Sequence, residues 1–258
     1  MKSISTVFFI KRFWRIFCLL GWLIKTLWLV YNFPKKNQQQ RSQDLKKIAL
    51  HLLNTLHVKL ETHDSSNLST LAAKLVVANH VSWLDIFVLL SQCQGGFIAK
   101  DNIRNWPIIG WLAKQSGAIF INRNSRSVIN SINQSIEQAL IENKSVLFFP
   151  EARTSNGLNT LPFKAALFQS AAVTHSPVQS MAIRYYDYNG QRTTQVAYVG
   201  DTNLFVSLWR ITGLREIKVK VDYGPLLNTN ADLSMDREQL KQITEKFITE
   251  KIISDSPT

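Results

Sequence analysis

Only two cysteines, Cys18 and Cys93, occur in 258 residues. That is too few for a disulfide scaffold, and neither belongs to a pair with zinc-ligand spacing, so a reducing compartment is expected. Glycine (10) and proline (7) are scarce as well, which excludes a fibrous or low-complexity chain, and a 45% hydrophobic content excludes a disordered one. No internal repeat is present. The apolar runs near the N-terminus are short: Ile16 to Ile24 is nine residues, against the roughly 20 that span a bilayer. Scarcest of all is acid in the first sixty residues, where Asp44 stands alone against eleven Lys or Arg, a net +10. Residues 61–258 hold nineteen bases and seventeen acids, a net +2.

So asymmetric a charge implies an anionic partner for the N-terminal fifth, membrane or nucleic acid. The neighbours of those bases decide between them. Lys11, Arg12, Arg15 and Lys25 are embedded in VFFIKRFWRIFCLLGWLIKTLWLVYNF and fall within an arc of roughly 140° on a helical wheel. Charges on one side with Trp and Phe elsewhere describe a helix lying in a membrane interface. Trp14, Trp22 and Leu29 share the charged arc, so a tilted or re-entrant anchor stays open. Charges interrupt the would-be core of a secretory signal and no small-residue cleavage site follows, so a cleaved leader is not expected. The chain lacks helix-turn-helix, zinc-finger and RNP-type signatures, and no nucleic-acid partner is expected.

Asn37 to Gln43 (NQQQRSQ) reads as a linker, and Leu45, Ile48, Leu52, Leu53, Leu56 and Leu60 as the stripe of a second helix. Residues 1–60 are therefore expected to form a membrane-associating helical region, with a second domain over 61–258. In that domain, short apolar runs at Leu75–Ala78, Val146–Phe149, Val178–Tyr185, Gln195–Val199 and Ile217–Asp222 read as strands. Thr62 to Thr70 reads as a loop, and Val128–Asn143, Phe163–Val173 and Met235–Ile253 read as helices. Alternating strands and helices predict an α/β fold with a central, mostly parallel sheet covered by helices. His51, His57 and His63 do not share a metal-binding spacing, and no metal site is expected.

The strand Leu75–Ala78 runs into Asn79-His80-Val81-Ser82-Trp83-Leu84-Asp85 and then an apolar helix, and strand ends opening onto helices are where open α/β sheets place ligands. Ser82 and Asp85 have capping-box spacing. Within one helix, residues five apart point about 140° away from each other, so His80 and Asp85 would not meet. With Ser82 as N-cap, His80 lies outside the helix and the Asp85 carboxylate can reach back to it. Such a carboxylate fixes the tautomer and leaves the other nitrogen as a general base. No Ser or Cys stands nearby in a nucleophile-elbow pattern, so the base would activate a hydroxyl of the substrate.

NHVSWLD resembles the Asn-His-x4-Asp motif of the glycerophospholipid acyltransferase superfamily. Gly117-Ala-Ile-Phe120-Ile-Asn-Arg123 is similar to its second motif, Gly-x-x-Phe-x-x-Arg, and Phe149-Pro150-Glu151 to the head of its third, Phe-Pro-Glu-Gly-Thr-Arg-Ser. Ala99-Lys100, Pro107-Ile-Ile-Gly110-Trp, Phe163-Lys164 and the run from Pro177 to Ile183 extend the likeness over roughly residues 70–225. The resemblance implies transfer of a fatty acyl group from acyl-CoA or acyl carrier protein, a donor substrate rather than a cofactor, to the free hydroxyl of a lysophospholipid, with 1-acyl-sn-glycerol 3-phosphate the expected acceptor. It implies His80 as base oriented by Asp85. Arg123 would bind the phosphate, with Arg153 and Lys164 as further phosphate ligands, and Glu151 would contact glycerol hydroxyls or hold Arg123. Gly117, Phe120 and Pro150 would line the substrate site. A two-tailed product implies seating on the anionic, cytoplasmic leaflet of a bacterial-type inner membrane. The third motif departs from the pattern, reading Phe-Pro-Glu-Ala152-Arg153-Thr154-Ser155, and an alanine at the glycine position would strain a left-handed backbone. The stretch SNGLNTLPFKAALF also resembles a branch that acylates lyso-ornithine lipid. The non-enzymatic alternative is a basic membrane-binding protein.

Overall fold

Short apolar runs at Leu75–Ala78 and Val146–Phe148, buried on both sides, form the middle of the sheet at the centre of the computed structural model, which describes residues 9–65, 73–105, 109–121, 128–229 and 235–257. In chain order the elements are α1 (Phe9–Tyr31), α2 (Gln38–Thr55), β1 (Val58–His63), β2 (Leu75–Ala78), α3 (Leu84–Gln92), β3 (Gly96–Lys100), α4 (Asp101–Arg104), α5 (Ile109–Gln115), β4 (Ile119–Ile121), α6 (Val128–Ile141), β5 (Val146–Phe148), α7 (Gln169–Thr174), β6 (Val178–Tyr186), α8 (Leu204–Gly213), β7 (Ile217–Leu227) and α9 (Arg237–Ile253). The sheet order is β1-β7-β6-β2-β5-β3-β4, and every pairing is parallel except β6 with β7. The α/β fold with a mostly parallel sheet is as the sequence predicts.

Strand periodicity sorts the core into two faces. In β2, Val76 and Ala78 pack with Leu52 of α2, Val88 of α3 and Ile211 of α8. Leu75 and Val77 point the other way, toward Ile136 of α6 and Leu240 and Ile248 of α9. Helices thus cover both faces, which is why β2 has no polar alternation.

Several sequence expectations are corrected. Asn37 to Gln43 is not a linker: the Asn37 side chain accepts from the Gln40 amide while the Gln40 side chain accepts from the Asn37 amide, a capping box that starts α2. The leucine stripe of that helix stops at Thr55, and Val58–His63 turns into β1, so the sheet begins inside the expected helix and crosses the 60/61 boundary. Gln195–Val199 is not a strand; Tyr198 N–H instead donates to the Val81 carbonyl at 2.9 Å, docking this segment on the loop after β2.

The largest surprise is the orientation of α1. Arg15 is buried (4% exposed) and its guanidinium donates to the carbonyls of Thr212, Leu214 and Arg215 at the end of α8. Arg12 lies over the Trp209 ring, 4.4 Å from its centroid. Trp22 Nε1 donates to the Ile48 carbonyl of α2. Half of the expected basic arc therefore faces the protein, while Lys11 and Lys25 remain exposed. Most of what faces outward is apolar: Ile10, Phe13, Trp14, Phe17, Leu20, Ile24, Trp28 and Tyr31 follow one another around one side of the helix over about 32 Å. By length and composition Ile10–Tyr31 could cross a membrane, but it is held along its length by α2 and α8.

Candidate active site

Asn79 ends β2 by substituting its side chain for a strand neighbour. Its Nδ2 donates to the Ile183 carbonyl at 2.9 Å and its Oδ1 accepts from the Ile183 amide at 2.7 Å. The next residue, His80, therefore leaves the C-terminal edge of the sheet from a fixed point. Its backbone is gripped on both sides by the third motif: its amide donates to Glu151 Oε1 at 2.8 Å and its carbonyl accepts from the Ser155 amide at 2.7 Å. The imidazole lies flat on Phe149, with centroids 3.9 Å apart and planes 4° from parallel, and Phe149 packs in turn on Phe97.

Asp85, in the first turn of α3 and with 0% of its surface exposed, supplies the partner. Asp85 Oδ2 accepts from His80 Nδ1 at 2.8 Å, from the Val81 amide at 2.7 Å and from the Ser82 amide at 2.8 Å. Its Oδ1 accepts from the Tyr185 hydroxyl at 2.6 Å. The helix starts one residue later than Ser82 as N-cap would have it, with Trp83 at that position. The cap is instead made in reverse, the first-turn carboxylate taking the amides that precede the helix, and this is what turns it toward the imidazole. With Nδ1–H committed to the carboxylate, Nε2 is the basic nitrogen. The imidazole is 19% exposed, and among the described residues no hydrogen bond occupies Nε2.

Tyr185 belongs to β6, one hundred residues from Asp85, and nothing local in the sequence singles it out. Its burial and the neighbouring Asp85 carboxylate push the phenol well above its ordinary range, so it stays a hydrogen-bond donor at any physiological pH. Trp83, between the two members of the His-Asp pair, donates from Nε1 to Ser207 Oγ of α8 at 3.1 Å.

Glu151 is buried, and each of its oxygens takes one backbone amide: Oε1 that of His80 and Oε2 that of Leu161, both at 2.8 Å. The carboxylate is thus engaged in holding the His80 loop. Burial pushes its pKa up to about 7, against the pull of the two amides and of His80. A folded-state value above the unfolded 4.5 means that unfolding releases this proton between the two values, so the contribution of Glu151 to stability is greatest below about pH 4.5 and is lost as pH rises through about 7. Relative to Glu151→Gln, which cannot titrate, the wild type is expected to lose on the order of 3 kcal/mol between pH 5 and pH 8. Denaturant midpoints of both proteins at the two pH values measure it.

Ala152 follows with φ +60°, the strained left-handed backbone anticipated from the glycine it replaces. Ala152→Gly is expected to raise the unfolding free energy by about 1 kcal/mol, since a Cβ there costs roughly 1–2 kcal/mol and glycine returns part of that as unfolded-chain entropy. Gly157 also has positive φ (+80°), and a Cβ there would meet both Val81 methyls at 3.0 Å, so the third-motif loop closes on the His80 loop only with glycine.

The remaining predicted residues divide. Arg153 and Lys164 are exposed at an open pocket that they share with Glu151, Ala152, Leu161 and Pro162. Pro150 is buried, and its carbonyl accepts from the Lys164 amide at 3.0 Å. Gly117 and Phe120 lie apart from these. Gly117, φ +81°, makes the turn before β4, and because the strands run parallel that turn lies at the edge of the sheet opposite His80. Phe120 sits within β4, the outermost strand, under the Arg104 guanidinium at 4.8 Å. Three strand spacings separate β4 from β2, roughly 14 Å, so the fold does not bring these two residues to the His80 imidazole. Arg123 lies outside the described residues. Among those described, no cluster of His, Cys, Asp and Glu could hold a metal ion.

Known proteins similar to this chain are acyltransferases. A family model described as Acyltransferase matches residues 59–184. Over 256 residues the chain is 38% identical to a 1-acyl-sn-glycerol-3-phosphate acyltransferase of Neisseria meningitidis serogroup B, covering 99% of this chain and 98% of that one. It is 39% identical over 140 residues to a lyso-ornithine lipid O-acyltransferase of Rhodobacter capsulatus, covering 52% of this chain and 46% of that protein. The crystal structure of the 1-acyl-sn-glycerophosphate acyltransferase PlsC from Thermotoga maritima superposes with a TM-score of 0.72, covering 95% of this chain and 94% of that one at 17% identity, a likeness of fold.

Proposed function

The chain belongs to the glycerophospholipid acyltransferase superfamily, and from that premise we propose that it moves a fatty acyl group from acyl-CoA or acyl carrier protein to the free hydroxyl of 1-acyl-sn-glycerol 3-phosphate, giving phosphatidic acid. The observation that carries this reading is the His80–Asp85 hydrogen bond, with no serine, threonine or cysteine bonded to His80 Nε2 among the described residues. His80 Nε2 takes the acceptor's hydroxyl proton as its oxygen bonds to the thioester carbonyl carbon. The charge that builds on the imidazole is balanced by Asp85, and that on the carbonyl oxygen needs hydrogen-bond donors facing the site. Collapse breaks the C–S bond, and the imidazolium returns the proton to the departing thiolate. Arg153 and Lys164 suit the acceptor phosphate, two cations on one pocket beside the His80 loop. The outward apolar face of α1 suits a bilayer that supplies the acceptor and takes the product, with exposed Lys11 and Lys25 at an anionic, cytoplasmic leaflet.

The likeness to a lyso-ornithine lipid acyltransferase supports a second acceptor class, and one assay separates the two. Thiol release with each lysolipid in matched mixed micelles is expected to favour lysophosphatidate, and Arg153→Ala/Lys164→Ala is expected to raise the KM for lysophosphatidate alone. Faster turnover of lyso-ornithine lipid would overturn the phosphate assignment while leaving acyl transfer intact.

A further inference from the structure

The helix α8 carries an exposed apolar face that the reading above does not use. Phe205 is 83% exposed, and Val206 and Trp209 are exposed beside it. Residues one helical turn apart share a face, so Phe205 and Trp209 form one ridge with Val206 on its flank. On the opposite face Ser207 and Ile211 are buried in the body, while Thr212, one turn beyond Trp209 on the ridge's own side, is buried where Arg15 of α1 donates to its carbonyl. Asn203 caps the helix through the Val206 amide, so the ridge is presented by an ordered element. At its far end the ridge meets α1: Trp209 and Phe13 pack edge to face at 6.4 Å, and Phe13 belongs to the outward stripe in which Trp14 and Phe17 stack at 5.9 Å.

We propose that α8 is a second lipid-embedding element, and that Phe205, Val206 and Trp209 enter the bilayer interface together with the outward face of α1. This rests on the reading of α1 as a membrane helix. The occupant is argued from continuity and from charge. The two ridges form one aromatic strip with no acidic residue in either helix, and Lys11 and Lys25 are exposed on α1. Large exposed apolar strips with Trp and Phe and flanking cations match the headgroup–acyl boundary. Two crossing ridges define a plane, where a single helix could roll about its own axis. The buried side of α8 reaches the active-site loop through Ser207 and Trp83, so that plane also fixes how far the His80 site stands from the lipid surface.

The test uses the full chain with Cys18→Ser and Cys93→Ala, carrying either Phe205→Cys or Phe17→Cys labelled with an environment-sensitive fluorophore. Phosphatidylethanolamine–phosphatidylglycerol vesicles with and without nitroxide-bearing lipid are the probe. A blue shift at both positions with quenching by nitroxide lipid is expected, and a Phe205→Ser/Val206→Ser chain is expected to partition into vesicles roughly tenfold less well than wild type. A response at position 17 with none at 205 overturns the proposal and leaves α1 as the anchor. Silence at both positions removes the membrane reading of α1 as well. A blue shift at 205 that grows with protein concentration in the absence of lipid assigns the ridge to a second copy of the chain and overturns the proposal.

Discussion

A His80→Ala enzyme is expected to lose about 10²–10⁴-fold in kcat, measured as coenzyme A release from a fatty acyl-CoA with lysophosphatidate in vesicles. The loss should fall on kcat, because a base acts on the hydroxyl proton only as the new bond forms, whereas the proposed phosphate ligands, Arg153 and Lys164, are untouched by the change. The fold should tolerate the change. The His80 backbone is held by Glu151 and Ser155 independently of its ring, and Asp85 keeps the Val81 and Ser82 amides and the Tyr185 hydroxyl after the imidazole is gone. Partial recovery by added imidazole would identify the missing group as a base. Activity within threefold of wild type would end the assignment.

The pair at the centre of the site was legible because it is local. Five residues separate His80 from Asp85, and the sequence places a helix start between them; only the atom-by-atom form of the cap needed coordinates. What the sequence conceals is long-range. Asn79 bonds to Ile183 and Tyr185 to Asp85, each across about a hundred positions, and neither residue type in a strand signals a partner there. Glu151 is visible as a motif residue, but its attachment to two backbone amides is a product of loop packing. Helix α1 shows the opposite failure. Its composition points to lipid, yet the same basic residues that suggest headgroup contacts can cap another helix. Arg15 does so, because the orphan carbonyls at the end of α8 attract a guanidinium as well as a phosphate surface would. The helix α8 and the strands β3 and β4 were missed for a simpler reason: short elements flanked by polar residues carry little periodicity.

Asp85→Asn separates charge from geometry. Four donors converge on the carboxylate, three of them on Oδ2. An asparagine can keep those three by placing its carbonyl oxygen there, with its NH₂ turned to Tyr185, whose hydroxyl rotates from donor to acceptor. The Nδ1–H tautomer of His80 then survives. What disappears is the negative charge that stabilises the imidazolium, and kcat is expected to fall roughly 10²–10³-fold, less than the about 10⁴-fold seen where such a change also reverses the tautomer. Adding Tyr185→Phe removes the acceptor from the new NH₂ and leaves it buried without a partner, so the double variant should unfold at about 1–3 kcal/mol less than Asp85→Asn alone. Tyr185→Phe by itself keeps the charge and frees Oδ1 of one donor, which strengthens the pull of the carboxylate on His80 Nδ1–H. Its kcat is therefore expected to change little, in contrast to Asp85→Asn. Kinetic profiles of the three variants, with thermal midpoints on the same samples, check each step. An Asp85→Asn enzyme of wild-type activity would show that the carboxylate holds only the loop, and that the imidazolium charge is met elsewhere.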